Sequence, residues 1–371
     1  MNVWSWCAPC ALVLTALLGA SATACTSETP YRLAVVLDAA GREGAALAAA
    51  RINARGGVNG HHLDLLNIST PIGTGRVAVE TAERLSSDKS ILAVIGHTNS
   101  SSSLAASQVY NARHVLQLSP TSTAPLYGRA GPYSYRLVPS DVHQGVFLAE
   151  QALSVHVKSP LRVAVMFVNN DYGRPLHGVV VERLRAAHVV PQYDVPYSAM
   201  DSAGASEFVG ALQRVQPDVL IWLGRSADFA PIARRVRDAL PRLVVLASDA
   251  FSRGAALVDS ARLFDAVRYV RLVNLDRPDT ALLNLRLAYR RTGRGELNDQ
   301  TVLAYDAVTL LAEALKATGA HREALPAWLA ELGRTRSPFP GLSGPIEFTA
   351  ERDRTAPYWL ARAGRDERST P

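Results

Sequence analysis

Short apolar runs alternate with stretches of helical period along this chain, and the pattern starts twice. Residues 33–37 (LAVVL), 63–68, 92–95 and 115–118 are brief apolar runs of buried-strand type. Between them, residues 42–55 read as an Ala-rich helix that stops at Gly56-Gly57. Residues 77–85 place Val77, Ala78, Thr81, Ala82 and Leu85 on one helix face, and 101–112 form the next helix. The second series opens at 162–168 (RVAVMFV), followed by a helix over 175–187 carrying Leu176, Val179, Val180 and Leu184. Phe208, Leu212 and Val215 mark another helix, 219–222 a strand, Phe229, Ile232, Val236 and Leu240 a helix, and 243–246 a strand. Strand–helix–strand units in both halves predict an α/β protein with two open parallel sheets, each covered by helices on both faces. Ligands of such sheets bind beyond the carboxyl ends of the strands, so the cleft between two domains is the expected site.

The first residues do not belong to that pattern. Residues 8–20 form an apolar core of signal-peptide length, too short for a spanning helix, which needs about 20 apolar residues. Ala22-Thr23-Ala24 then precede Cys25, so a signal peptide over 1–24 is expected. The same residues fit a lipobox, with Cys25 as the lipidated first residue of an exported, membrane-anchored protein; plain secretion with one free thiol is the alternative. Residues 1–10 lack Lys and Arg, and Ala22 stands where a lipobox usually has Leu. Residues 25–30 read as a tether and 365–371 as a flexible polar tail.

Several activities are unsupported. The net charge is +6, but the basic residues are mostly dispersed Arg beside Asp or Glu, the composition of solvated helix faces, so no nucleic-acid partner is expected. The nine histidines form no metal motif, and there is no G-x-S-x-G elbow, P-loop or, after the leader, C-x-x-C. No catalytic residue, metal or cofactor is expected. Asp306, on a strongly apolar helix, reads as a buried structural carboxylate or a domain-interface group.

Seven segments in order resemble the type 1 periplasmic binding proteins that serve ABC importers, in particular the branched-chain amino-acid group. They are 49–60 (AARINARGGVNG), 93–103 (AVIGHTNSSSS), 118–125 (LSPTSTAP), 135–145 (YRLVPSDVHQG), 170–173 (NDYG), 304–315 (AYDAVTLLAEAL) and 342–348 (LSGPIEF). The resemblance implies two Rossmann-like lobes joined by a three-strand hinge. Lobe 1 would hold 31–139 plus 273–337, and lobe 2 would hold 140–272 plus 338–364, with crossings near 137–140, 271–274 and 338–344. It implies a solute receptor of an ABC importer, not an enzyme, working in the cell envelope with an ABC permease as partner and capturing an amino acid or similar small carboxylate. The alternative is a lipoprotein of the same fold that senses a ligand and signals to a membrane partner.

The resemblance also implies a site. Ser100, Ser101 and Ser102 follow a strand and a glycine, where a helix N-terminus offers N–H and O–H donors to a carboxylate; ordinary N-capping by one serine is the other reading. Ser100 and Thr123 align with the family's headgroup serine and threonine. Ser122 would offer its carbonyl or hydroxyl, Tyr172 would close over the ligand, and Asp249 would accept from an ammonium. Arg225 reads as solvated rather than facing the cleft. Two departures stand out: the loop after the first strand is short (37–44), and the second strand ends in Asn67 and Ile68 where the family carries paired acids. Both imply a differently shaped cleft on lobe 1.

Overall fold

The computed structural model describes residues 29–69, 75–155, 160–198, 202–252, 267–293 and 295–363. The expected leader, Cys25 and the 365–371 tail lie outside the described residues. The first sheet is built from β1 (Tyr31–Val36), β2 (Leu63–Asn67), β3 (Ile91–Gly96), β4 (Leu116–Ser119) and β5 (Ser134–Arg136), in the order β2-β1-β3-β4-β5. All its neighbours run parallel. Then come β6 (Val163–Val168), β7 (Tyr193–Tyr197), β8 (Val219–Leu223), β9 (Val244–Ala247) and β10 (Val267–Arg271). A small hairpin, β11 (Phe339–Gly341) and β12 (Gly344–Ile346), precedes β13 (Trp359–Arg362). The second sheet has the order β13-β10-β9-β8-β6-β7 and is parallel except at β13, which is antiparallel to β10.

The strand residues sort between two cores because successive side chains point to opposite faces, with one break in β3, where the register with β1 shifts between Ile91 and Ala93. Leu33 and Val35 of β1 join Ala93 and Ile95 on one side, while Ala34 and Val36 join Ile91 and Val94 on the other. The first side is covered by α1 (Ala39–Asn53) and, far along the chain, a 20-residue helix spanning Asp299–Thr318. The second is covered by α2 (Gly75–Ser87) and α3 (Ser100–Ala112). In the second sheet, Val163, Val165 and Ile221 face α4 (Asp141–Leu153) and α5 (Gly173–Ala186). Ala164, Met166 and Trp222 face α6 (Ser202–Val215) and α7 (Ser226–Ala239). Among the described residues, the longer helices are completed by α8 (Thr280–Arg291) and α9, the Asp299–Thr318 helix already described. Gly44 lets α1 lie directly on α9, since a Cβ there would stand 2.1 Å from the Thr301 carbonyl oxygen.

Two details differ from the sequence reading. The segment after Pro338 does not go straight to the second lobe. Ile346 and Phe348 are buried in the first lobe's core, and Asp306 accepts from the Leu342 and Ser343 amides, both at 2.8 Å. An apolar hairpin with a buried carboxylate to satisfy its turn is held where that core is, and only β13 joins the second sheet. Asp306 is thus a structural carboxylate, and burial pushes its pKa up while its hydrogen bonds oppose the rise. The arginines are also not all solvated: Arg136 and Arg354 are buried, and Arg271 pairs with buried Asp299 at 3.0 Å. Dispersed charge in a sequence reads as surface because the partner, 28 residues away for Arg271 and 217 for Arg136, is invisible.

Candidate functional site

Four loops at the carboxyl ends of strands converge. In the first lobe these are the β3–α3 connection and the turn after β4; in the second they are the loops after β6 and β9. The loop after β1 is short indeed, because Asp38 caps α1 two residues past the strand, accepting from the Gly41 amide at 2.9 Å. The Asp38 amide donates in turn to Thr98 Oγ1 at 2.9 Å, tying this loop to the start of α3.

At α3 the capping residue is Asn99, whose Oδ1 accepts from the Ser102 amide at 2.9 Å. The serines are therefore released from capping duty. Ser103 is wholly buried and shares a hydrogen bond with the Ser122 hydroxyl at 2.7 Å. Ser100, almost buried, accepts from the Ala124 amide at 3.3 Å, which brings the helix start against the 121–124 turn. Ser102 is buried and Ser101 half-buried. Thr123 is wholly buried, and its hydroxyl has no hydrogen-bond partner. Ser122 sits beside it but is used internally: its hydroxyl meets Ser103 and its carbonyl accepts from Arg136 at 3.3 Å. Below them lies His97, wholly buried, whose pKa is pushed down to about 4 by burial, so the ring is neutral.

The second lobe contributes a buried polar network. Asn170 Oδ1 accepts from the Tyr172 and Gly173 amides at 3.0 and 2.9 Å, an Asx-type turn that starts α5. Gly173 is required there, because a Cβ would lie 1.9 Å from the Val168 carbonyl oxygen. The turn delivers the Tyr172 hydroxyl to Asp249 Oδ1 at 2.6 Å. Burial, reinforced by the neighbouring Asp249 charge, pushes the Tyr172 pKa well above its usual value, so the phenol stays a donor. Gln144 on α4 completes the network. Its Nε2 donates to Asp249 Oδ1 at 3.0 Å and Asp141 Oδ1 at 2.8 Å, and its Oε1 accepts from the Asp249 amide at 2.9 Å. The lobes meet where the Asp141 amide donates to the Thr123 carbonyl at 2.8 Å.

One chain of hydrogen bonds thus links Ser100, Thr123, Asp249 and Tyr172 across the junction, with Ser101 and Ser102 beside Ser100 in the first turn of α3 and Ser122 turned inward. Arg225 stays exposed, paired with Asp228 at 3.0 Å. Sequence reasoning missed Gln144 and Asp141 as members. Their signal was the i, i+3 spacing at a helix start, which puts both on one face. Among the described residues, no group of three His, Cys, Asp or Glu is placed to hold a metal, and no helix is long and apolar enough to cross a membrane.

Two α/β lobes with a polar junction at their facing strand ends define a two-lobed, cleft-binding solute receptor. The chain belongs to the periplasmic binding protein family, whose model matches residues 32–368. It is similar to the Leu/Ile/Val-binding protein homolog 1 of Brucella abortus, 26% identical over 326 residues that cover 86% of this chain and 84% of that one. Among solved structures, it resembles the leucine complex of an ABC transporter substrate-binding protein from Desulfitobacterium hafniense. The TM-score is 0.76 at 23% identity, over 91% of this chain and 98% of the other. A benzoate complex of an R. palustris solute-binding protein matches with a TM-score of 0.77 at 15% identity, over 90% and 93%. Membership makes the protein a non-enzymatic receptor that works outside the cytoplasm.

Proposed function

We propose that this protein captures an amino acid or a similar small carboxylate between its lobes and delivers it to an ABC permease. One observation carries the reading: the Thr123 hydroxyl is buried without a partner beside Ser100 at the start of α3. A buried donor left unmade is costly, and a helix N-terminus favours an anion, so a carboxylate completes both. Ser100, Ser101 and Ser102 supply further donors. Asp249, held by Tyr172 and Gln144, is the acceptor for an ammonium, and Tyr172 walls the site from the second lobe. Leucine and benzoate, the ligands of the two solved neighbours, share a carboxylate and differ in the ammonium.

A thermal-shift screen of amino acids, simple carboxylates, amides and sugars tests this directly. A ligand stabilises by RT ln(1 + [L]/Kd), so millimolar concentrations expose weak binders. Carboxylates should raise the melting temperature; a shift with neutral sugars alone would sink the reading. Replacing Asp249 with Asn should weaken amino-bearing ligands and spare simple carboxylates. The Ala22-Thr23-Ala24-Cys25 sequence supports lipid anchoring at Cys25. Cys25→Ala should move the protein from the membrane fraction to the soluble one, and unchanged fractionation would refute the anchor.

A further inference from the structure

The three successive carbonyls from Ser122 to Ala124, around Thr123, are all engaged. Arg136 Nη1 donates to the Ser122 carbonyl at 3.3 Å and to the Ala124 carbonyl at 2.7 Å. The Thr123 carbonyl between them accepts from the Asp141 amide at 2.8 Å. Arg136 is itself wholly buried and held in a fork by Asp353, with Nε to Oδ1 and Nη2 to Oδ2 both at 2.6 Å. Asp353 belongs to the segment between β12 and β13, 217 residues from Arg136 in sequence.

We infer that Arg136, fixed by Asp353, is a positioning residue that makes the Thr123 turn a donor surface and so sets the preference for an anionic headgroup. This rests on the carboxylate reading above. The mechanism is geometric. A turn normally presents carbonyl oxygens as readily as N–H groups, and an exposed carbonyl repels a carboxylate. Here the guanidinium occupies two of the carbonyls and the Asp141 amide of the second lobe the third, while the Thr123 hydroxyl is left unpartnered. A neutral amide carries its own N–H donors and has use for such carbonyls; a carboxylate does not. Only a planar fork can hold one carboxylate through two nitrogens while a third reaches two backbone oxygens, so Lys cannot replace Arg here. The fork also separates geometry from charge. Arg136 is neutralised by Asp353, so the pair adds little net field at the turn.

The test measures binding of leucine and benzoate, each against its own primary amide, to the full mature chain by titration calorimetry. Arg136→Lys keeps the charge and loses the fork. Asp353→Asn keeps Arg136 and frees its charge. Circular dichroism confirms that each variant is folded, and if Arg136→Lys does not fold, Asp353→Asn decides. Both variants should reduce the carboxylate-over-amide preference by about tenfold, the value of one charge-assisted hydrogen bond. An unchanged preference overturns the inference. So does a raised preference in Asp353→Asn, which would mean that charge rather than position matters. Equal weakening of acid and amide also overturns it, because that is the mark of a merely structural role. A wild-type protein that prefers neither acid to its amide overturns the carboxylate reading itself, and this inference with it; the two failures are thus told apart.

Discussion

A buried hydroxyl with no partner costs about 1–3 kcal/mol of folding free energy, and Thr123 carries one. Valine has nearly the same shape and nothing to satisfy. Thr123→Val should therefore leave stability unchanged or improve it in urea unfolding. It should also weaken a carboxylate ligand by roughly ten- to a hundredfold in calorimetry. A destabilised variant that still binds at wild-type strength would show that the hydroxyl serves the fold. Arg136 presents the opposite balance. Its partner Asp353 is half-buried, so removing either half of the pair leaves a charge unmatched at a cost below the ~3–5 kcal/mol of a fully buried pair. Variants that keep an ion or a hydrogen-bonding group at these positions are therefore the informative ones. Asp249 lies between these cases: it is buried, yet Tyr172 and Gln144 both donate to it.

The start of α5 decides where Tyr172 stands. Two devices set it, and their magnitudes differ. Losing the Asn170 cap in Asn170→Ala should cost about 1 kcal/mol. Gly173→Ala pushes a methyl group into backbone, 1.9 Å from the Val168 carbonyl oxygen, so strand and helix must part by the full overlap. Overpacking of this kind costs about 1–3 kcal/mol. Thermal melts should rank Gly173→Ala below Asn170→Ala, and the reverse order would mean that this turn gives way easily. The same scale explains what the sequence made legible. β3 and β8 are buried at every position, so each reads as an unbroken apolar run. β7 lies at the sheet edge, alternates half-buried with exposed residues and contains Pro196, so it offers no such run. β10 includes exposed Arg268 and offers no unbroken apolar run, and only its last residue falls in the crossing expected over 271–274. In the site, serines after a strand and glycine announced a helix N-terminus. The pairing of Arg136 with Asp353 has no local pattern at all, because only the fold brings them together.

At the scale of the molecule, the chain passes between the lobes after β5, after β10 and in the segment leading to β13. Tyr358 packs against the cores of both lobes and donates to the Ser140 carbonyl at 3.1 Å. A ligand that touches Thr123 on one side and Asp249 on the other gains both sets of contacts only when the lobes are shut. Binding should therefore contract the protein about these crossings. Small-angle scattering should show a smaller radius of gyration with a ligand of demonstrated affinity, and an unchanged radius would exclude hinge closure. The pairing of α1 with α9 has a different consequence, one of timing. The first lobe's strands β1 to β4 are made early, but their core needs Val302 to Leu315, and Gly44 must meet Thr301. A chain synthesised from its amino end therefore spends most of its synthesis with that lobe unable to close. Contacts so distant in sequence also make folding slow. A lobe that can close only late leaves time for a chain that works outside the cytoplasm to cross the membrane before it folds.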